Sequence, residues 1–122
     1  MRTFTSLIVL LISTASIAEE RYHVFMQDEL LQGRSLWLEN CEGCHGWGIA
    51  DAPVPMRPEE WQPRLMQSME VLYAHAINGF FGPDDSMMPP RGGAAHLSDE
   101  QVKLAVDYMT TLAKYHIKNS QQ

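Results

Sequence analysis

The stretch Cys41-Glu42-Gly43-Cys44-His45 decides the interpretation of this 122-residue chain. Its two cysteines are the only ones in the sequence, and the histidine follows the second directly. Residues three and four apart share one face of a helical turn, so both thiols can reach the edge of one flat macrocycle. This spacing is the attachment motif of a c-type haem. The pentapeptide therefore predicts one covalently attached haem per chain, with His45 as a ligand of the iron.

Three other uses of a cysteine pair agree less well with the sequence. A thioredoxin-like dithiol has the same spacing but expects a strand–helix unit that this chain lacks. A structural zinc site needs further ligands at suitable spacing, and His75, His96 and His116 are single and scattered. A disulfide across two intervening residues is strained and explains nothing else in the sequence.

A haem iron in an electron carrier has a second axial ligand, and methionine is one option that raises the reduction potential. Of the eight methionines, Met87 and Met88 lie far enough downstream to wrap round to the other face of the ring. Pro89 and Pro90 stiffen the chain after them. We predict Met88 as the ligand, with Met87 as the alternative. Methionines at helical positions are more typical of core packing.

Short helices joined by long loops are predicted for the rest of the chain. Apolar spacing indicates helices at 28–40, 59–67, 68–78 and 99–113. Asp28 can cap the first helix, and Ser98 with Gln101 forms a capping box at the start of the last. Glycine and proline exclude regular structure from 46–58 and 82–95. The fold class is all-α, a single domain of about four short helices wrapped around one covalently bound haem.

So few short helices bury little apolar surface against one another, and a domain of this size is marginally stable. A large apolar group at the centre would supply the missing contacts. The sequence thus gives a second, independent reason to expect a bound macrocycle.

The first 18 residues have the composition of a secretory signal peptide: one basic residue, a short apolar run and small residues ending at Ala18. The alternative is an uncleaved anchor, but the apolar run is well short of the roughly 20 residues that span a bilayer. No second hydrophobic segment follows, so no membrane span is expected in the mature chain. We predict a signal peptide at 1–18, an N-terminal tether at 19–27, a haem domain at 28–114 and a flexible tail at 115–122.

The formal charge of −6, from 9 basic and 15 acidic residues, argues against nucleic acid as a partner. No cluster of basic residues offsets this charge. The acidic surplus is more typical of a solvated surface, with attraction of a basic redox partner as the alternative.

Beyond the pentapeptide, the chain resembles the class I bacterial c-type cytochromes, and most closely their short cytochrome c-five subgroup. The resemblance covers about residues 33–113. Its motifs are Cys-Glu-Gly-Cys-His-Gly-Trp-Gly at 41–48, Ala-Pro at 52–53, Trp-Gln-Pro-Arg at 61–64, Ala-Ile-Asn-Gly-Phe at 76–80, Met-Pro-Pro-Arg-Gly-Gly at 88–93, Leu-Ser-Asp-Glu-Gln-Val at 97–102 and Tyr-Met at 108–109. It implies a monohaem cytochrome c fold.

The resemblance also implies the roles of the residues around the haem. Cys41 and Cys44 would form thioethers, and His45 and Met88 would be the axial ligands. The carbonyl of Pro53 would accept a hydrogen bond from the other ring nitrogen of His45 and so fix the imidazole.

Two further residues of the resemblance would lie at the haem edge. Trp61 and Arg64 are candidates for binding a haem propionate, because a buried carboxylate needs paired donors. A plain core position is the alternative for Trp61.

The resemblance also implies a close helix crossing, in which Gly33 and Trp37 on the first helix would meet Tyr108 on the last helix.

The chain departs from the subgroup at one place. Members often have an additional cysteine pair near the distal loop, whereas Ala94, Ala95 and His96 occupy that region here. The corresponding disulfide is therefore absent.

Two functions follow from these features. The first is a soluble periplasmic carrier that passes one electron between redox partner proteins, which would be basic or membrane-bound oxidoreductases. The alternative is a haem c relay subunit bound to a specific periplasmic oxidoreductase. Ligand binding or peroxidase chemistry needs an open coordination position, which a bound Met88 would block. The sequence contains no catalytic constellation, so we expect an electron carrier and not an enzyme.

Overall fold

Helices make up most of the fold. The computed structural model describes residues 21–122, so the predicted signal peptide at 1–18 and the predicted start at Glu19 lie outside the described residues. The helices are α1 (Asp28–Asn40), α2 (Glu42–His45), α3 (Pro58–Trp61), α4 (Met69–Asn78) and α5 (Asp99–Ser120). Short 3-10 turns occupy Ile49–Asp51, Arg64–Met66 and Pro90–Gly93, and β1 (Phe80–Phe81) pairs with β2 (Met87–Met88). None of the helices described is long and apolar enough to cross a membrane.

The longest helix, α5, forms one side of the core. The predicted capping box is confirmed, because the Ser98 hydroxyl accepts from Gln101 N–H and the Gln101 side chain accepts from Ser98 N–H. The buried stripe of α5 is the one expected from helical spacing and consists of Val102, Ala105, Val106, Met109 and Leu112.

The helix α5 continues beyond its predicted end. It ends at Ser120 and not near residue 113, so most of the predicted tail at 115–122 is helical. Its last turns have partners that the polar sequence there did not indicate. Ile117 packs against the core, and the ring of Tyr115 stacks on His23 with centroids 4.1 Å apart.

Helices α1 and α5 cross at a glycine. A Cβ on Gly33 would lie 2.2 Å from the carbonyl oxygen of Leu104, so only glycine allows this approach. Trp37 and Tyr108 meet beside it with ring centroids 5.7 Å apart, and both are fully buried. The implied contact between the first and last helices is therefore present.

Residues 21–26 pack against the helices, and we call this segment the N-terminal strap. Tyr22 is 1 % exposed, and the hydroxyl of Tyr108 donates to the carbonyl of His23 at 3.0 Å. The segment predicted as a tether at 19–27 thus contacts the core at these residues: Tyr22 is buried against α1, and the half-buried Phe25 packs against Tyr108 of α5.

Two helix boundaries also differ from prediction. The helix expected at 59–67 is divided into α3 and a 3-10 turn, because Pro63 has no N–H to continue the ladder. Asp28 lies in the first turn of α1, and Gln27 is the N-cap.

The segment expected to be irregular, 82–95, begins within a hairpin. Phe80 pairs with Met88 and Phe81 with Met87 in antiparallel register. Helix α4 ends at Gly79, whose φ of 85° other residues rarely adopt, and a Cβ there would lie 2.9 Å from the Met88 carbonyl oxygen. The hairpin is therefore held directly against the end of α4.

Candidate functional site

A cavity of about 450 Å³ lies where the five helices and the hairpin meet. Its size is in the range of about 300–1,000 Å³ that is usual for bound cofactors and small ligands. The alternative ligand Met87 lines it, as do the seven residues predicted for the site: Cys41, Cys44, His45, Pro53, Trp61, Arg64 and Met88. The structure thus brings together residues from α2, α3, β2 and three loops.

The single turn α2 carries the cysteines and the histidine. The backbone N–H of His45 donates to the carbonyl of Cys41 at 2.9 Å, which closes the turn. The N–H of Cys41 donates to the carbonyl of Trp37 in the last turn of α1. Cys41 is half-buried and Cys44 is exposed at the cavity. Burial is the main cause that raises the pKa of Cys41 to about 11, and the electrostatic interaction with the nearby Cys44 adds to it. The turn therefore presents two thiols and one imidazole to the same space.

Pro53 fixes the imidazole of His45. The ring Nδ1 and the Pro53 carbonyl oxygen are 2.9 Å apart, and because a carbonyl can only accept, Nδ1 carries the proton. The remaining nitrogen, Nε2, is left with its lone pair. Burial lowers the pKa of His45 and so does the charge of Arg64, although the Pro53 hydrogen bond opposes them. A neutral imidazole in a fixed tautomer is what a metal ligand requires.

Glu60 holds the loop that contains Pro53, a role that sequence reasoning missed. Its carboxylate accepts from Val54 N–H at 2.7 Å and from Arg57 at 3.0 Å. Burial would raise the pKa of Glu60, but these hydrogen bonds and the charges of Arg57 and Arg64 hold it below its usual range. The prediction that the acidic surplus lies on a solvated surface does not describe Glu60, and no sequence signal links residue 60 to the loop before it.

The hairpin and the turn after it hold Met88 at the cavity. Met88 is half-buried and packs against the cluster of Ala76, Leu97, Val102 and Val106, whereas Met87 is 48 % exposed. Successive residues of a strand point to opposite sides, which accounts for this difference.

After Met88 the chain is tied to α5 by Arg91. Its guanidinium donates to the carbonyl of Leu97 at 3.0 Å and pairs with Asp99 at 2.5 Å. Met88 is therefore braced by β1 before it and by Arg91 after it.

One corner of the cavity is polar. Trp61 is 3 % exposed, and within residues 21–122 its indole N–H is buried without a hydrogen-bond partner. Arg64 lines the same cavity, and its guanidinium donates to the carbonyl of Glu60. A buried donor without a partner costs stability unless something else accepts from it. This corner suits a carboxylate of a bound cofactor.

These residues fit a haem. Two thiols, an imidazole nitrogen, a thioether sulfur, apolar walls and a donor for a carboxylate all line one space. A zinc site fits less well, because no group of three or more His, Cys, Asp or Glu in the described part of the chain is placed to hold a metal ion.

Comparison with known proteins agrees with a haem-binding site. Residues 28–109 match the family described as cytochrome c oxidase, cbb3-type, subunit III. The chain is 38 % identical over 82 residues to cytochrome c-555 of Chlorobaculum tepidum, and the aligned region covers 67 % of this chain and 75 % of that protein. It is 31 % identical over 82 residues to cytochrome c5 of Azotobacter vinelandii, covering 66 % of this chain and 93 % of that protein.

A solved structure is similar in fold as well as in sequence. It is described as the crystal structure of an electron transfer complex of nitrite reductase with cytochrome c. The match has a TM-score of 0.59 and 35 % identity, and it covers 67 % of this chain and 94 % of that chain.

The Glu60 contacts predict a pH-dependent contribution to stability. Glu60→Gln should lower the free energy of unfolding by about 1 kcal/mol near neutral pH, since it removes charged hydrogen bonds that solvent partly screens. Because the folded-state pKa is lowered, this contribution is present above the ordinary value of 4.5 and is lost as the pH falls through the folded-state value. Denaturant titrations of parent and variant at about pH 7 and about pH 3.5 measure it. Glu59→Gln is the control, and an equal difference at both pH values would contradict the prediction.

Proposed function

This chain belongs to the c-type cytochrome family, and on that premise we propose that it is a soluble, exported protein that passes one electron at a time between redox partners. It carries covalently attached haem c, and it is an electron carrier and not an enzyme. The observation that supports the more specific proposal is the convergence of two thiols, an imidazole and a thioether on one cavity.

Each residue of the site has a proposed role. Cys41 and Cys44 would hold the macrocycle through thioether bonds, and His45, whose Nδ1 donates to the Pro53 carbonyl, would bind the iron through Nε2. Bound haem supplies an iron that alternates between the ferrous and ferric states. The hydrogen bond to Pro53 keeps the imidazole in one orientation in both states.

Met88 is the proposed second axial ligand. It is less exposed than Met87, and it packs against apolar side chains of α4 and α5. A thioether ligand favours ferrous iron and raises the reduction potential. With His45 and Met88 both bound to the iron, no position would be open for a substrate, which supports electron transfer over peroxidase chemistry.

Trp61 and Arg64 are proposed to bind a propionate. The indole N–H of Trp61 lacks an acceptor within residues 21–122, and a carboxylate at the polar corner would accept from it and from the guanidinium. This pairing lets a carboxylate lie at the edge of a mostly apolar cavity.

Exposed apolar side chains surround the cavity mouth, which supports docking there. Ile49 is 55 % exposed, Met87 is 48 % exposed, and Phe81 beside Met87 is 83 % exposed. The turn of the hairpin adds the exposed pair Asp84 and Asp85. We propose a basic redox partner, because an acidic pair beside an apolar surface favours an opposite charge on the partner.

The location that we propose is the periplasm or another compartment outside the cytoplasm, supported by the signal-like composition of residues 1–18. The second candidate function is a relay subunit attached to one oxidoreductase. The match to a family described as an oxidase subunit, and the solved cytochrome c in complex with nitrite reductase, favour keeping this candidate.

The two adjacent methionines allow a matched test of the second ligand. Met88→Ala should abolish the weak near-red sulfur-to-iron absorption band and lower the reduction potential, because the thioether is removed. Met87→Ala should keep the band and a potential close to the parent, because its side chain is solvent-exposed. Absorption spectra of the oxidised proteins and voltammetry measure both. Loss of the band in Met87→Ala alone would reverse the assignment.

The carrier function predicts reversible one-electron exchange without substrate turnover. Voltammetry of the purified protein should give one reversible one-electron wave. Peroxide reduction and oxidation of small substrates should stay at the level of a haem peptide. Sustained turnover by the isolated chain would refute the carrier function, and electron exchange only with one co-purifying enzyme would favour the relay subunit.

The proposed acidic docking surface predicts a salt effect. Reduction by a basic redox protein should slow as ionic strength rises, by about tenfold or more between low and physiological salt. Asp84→Asn with Asp85→Asn should flatten this dependence, since it removes charge beside the cavity mouth. Glu29→Gln with Glu39→Gln makes the same charge change on α1, away from the cavity lining, and should leave most of the dependence intact. Equal flattening in both double variants would mean that the partner responds only to net charge.

A further inference from the structure

The N-terminal strap contacts both ends of the turn α2. The hydroxyl of Tyr22 donates to the Glu42 carboxylate at 2.8 Å, at the first residue of the turn. The guanidinium of Arg21 donates to the carbonyl of Gly46 at 2.6 Å, just after the last. Two neighbouring strap residues thus bracket the segment that carries Cys44 and His45.

These contacts are closely packed. The Tyr22 ring meets Trp37 edge to face with centroids 4.8 Å apart, and the side chain is 1 % exposed. A Cβ on Gly46 would lie 2.5 Å from the Tyr22 hydroxyl oxygen, so a side chain at 46 would displace the strap. Arg21 lies over the ring of Trp47, 3.6 Å from its centroid, which adds a cation–π contact.

The other half of the strap is anchored on α5. The carbonyl of His23 accepts from the Tyr108 hydroxyl at 3.0 Å, and the His23 ring stacks on Tyr115. The strap therefore connects the longest helix of the core to the attachment turn, over a sequence separation of 85 residues between His23 and Tyr108.

A turn of four residues needs such support. Helices this short are unstable by themselves, because nucleation fixes several residues for few hydrogen bonds. The Pro53 carbonyl fixes the imidazole ring, but it does not hold the backbone from which His45 projects. The strap contacts that backbone at Gly46 and the side chain of Glu42.

We propose that Tyr22, with Arg21, is a positioning residue for the haem site: it holds the attachment turn so that His45 keeps one orientation in both oxidation states. Groups behind a metal ligand commonly set its orientation, and a site that is already ordered needs little rearrangement when its charge changes. This role rests on the proposed assignment of Cys41, Cys44 and His45 to the haem.

The test compares two variants of the full holoprotein that each lose one phenol–carboxylate hydrogen bond. Tyr22→Phe removes the bond to Glu42, and Tyr73→Phe removes the bond between Tyr73 on α4 and Asp107 on α5. One readout is amide hydrogen exchange at residues 44–46. The other is the set of haem-methyl proton shifts in the oxidised protein, which report the orientation of the axial imidazole plane.

Tyr22→Phe should speed amide exchange at residues 44–46 about tenfold, because the loss of one hydrogen bond to a charged group lowers the free energy of local opening by an amount equivalent to that factor. It should also change the haem-methyl shifts. Tyr73→Phe should leave both readouts at the parent values, even if global stability falls. If Tyr22→Phe matches Tyr73→Phe in both readouts, Tyr22 only fills the core and the proposal is overturned.

A second comparison isolates the bond itself. Once Glu42→Ala has removed the acceptor, adding Tyr22→Phe should cause no further change in either readout. An undiminished effect in that background would show that Tyr22 acts through packing and would overturn the role of the bond. If the Tyr22→Phe protein does not accumulate, Arg21→Ala is measured instead, because Arg21 contacts the other end of the turn. Unchanged amide exchange and unchanged haem-methyl shifts in Arg21→Ala would also overturn the proposal.

Failure of the site assignment is distinguishable from failure of this proposal. Every preparation is first denatured and extracted with acidic acetone, and the haem should stay with the protein. Extraction of the colour from the parent would refute attachment at Cys41 and Cys44. Retained colour with unchanged exchange and shifts in Tyr22→Phe would refute only the positioning role.

Discussion

One turn of helix presents Cys41, Cys44 and His45 to a cavity that the chain's own side chains do not fill. The cavity, about 450 Å³ and lined largely by apolar side chains, leaves these side chains without packing partners unless a large group occupies it. The arrangement of the surrounding elements is therefore best understood as a shell around a bound macrocycle.

Separate parts of the chain hold the two walls of this shell, and the wall that contains Met88 is tied to α5. On the histidine side, Pro53 holds the imidazole and Glu60 holds the Pro53 loop. On the methionine side, the hairpin and Arg91 hold Met88. Arg91 is paired with Asp99 in the first turn of α5, so the packing of this helix determines where the thioether lies.

Local features of the sequence were sufficient to predict much of the fold and the site. The attachment motif, the capping box at Ser98 and the stop at Gly79 each depend on residues within one or two turns. The all-α class and the haem follow from these features and from the resemblance. The predicted helix ends were less accurate where long-range contacts determine the true end. Tyr115 is an example, because its stacking partner His23 lies near the other end of the chain.

The sequence by itself determined which cofactor this protein binds and was enough to propose the turn that would attach it, because that chemistry depends on residue types at fixed short spacing. Only the tertiary structure decided what holds the turn and the loop beside it. Tyr22 and Glu42 are 20 residues apart, and Val54 N–H meets the side chain of Glu60 across a loop without helical or strand periodicity. Such partners have no periodic signal, since they meet only after the helices have packed and brought their loops together.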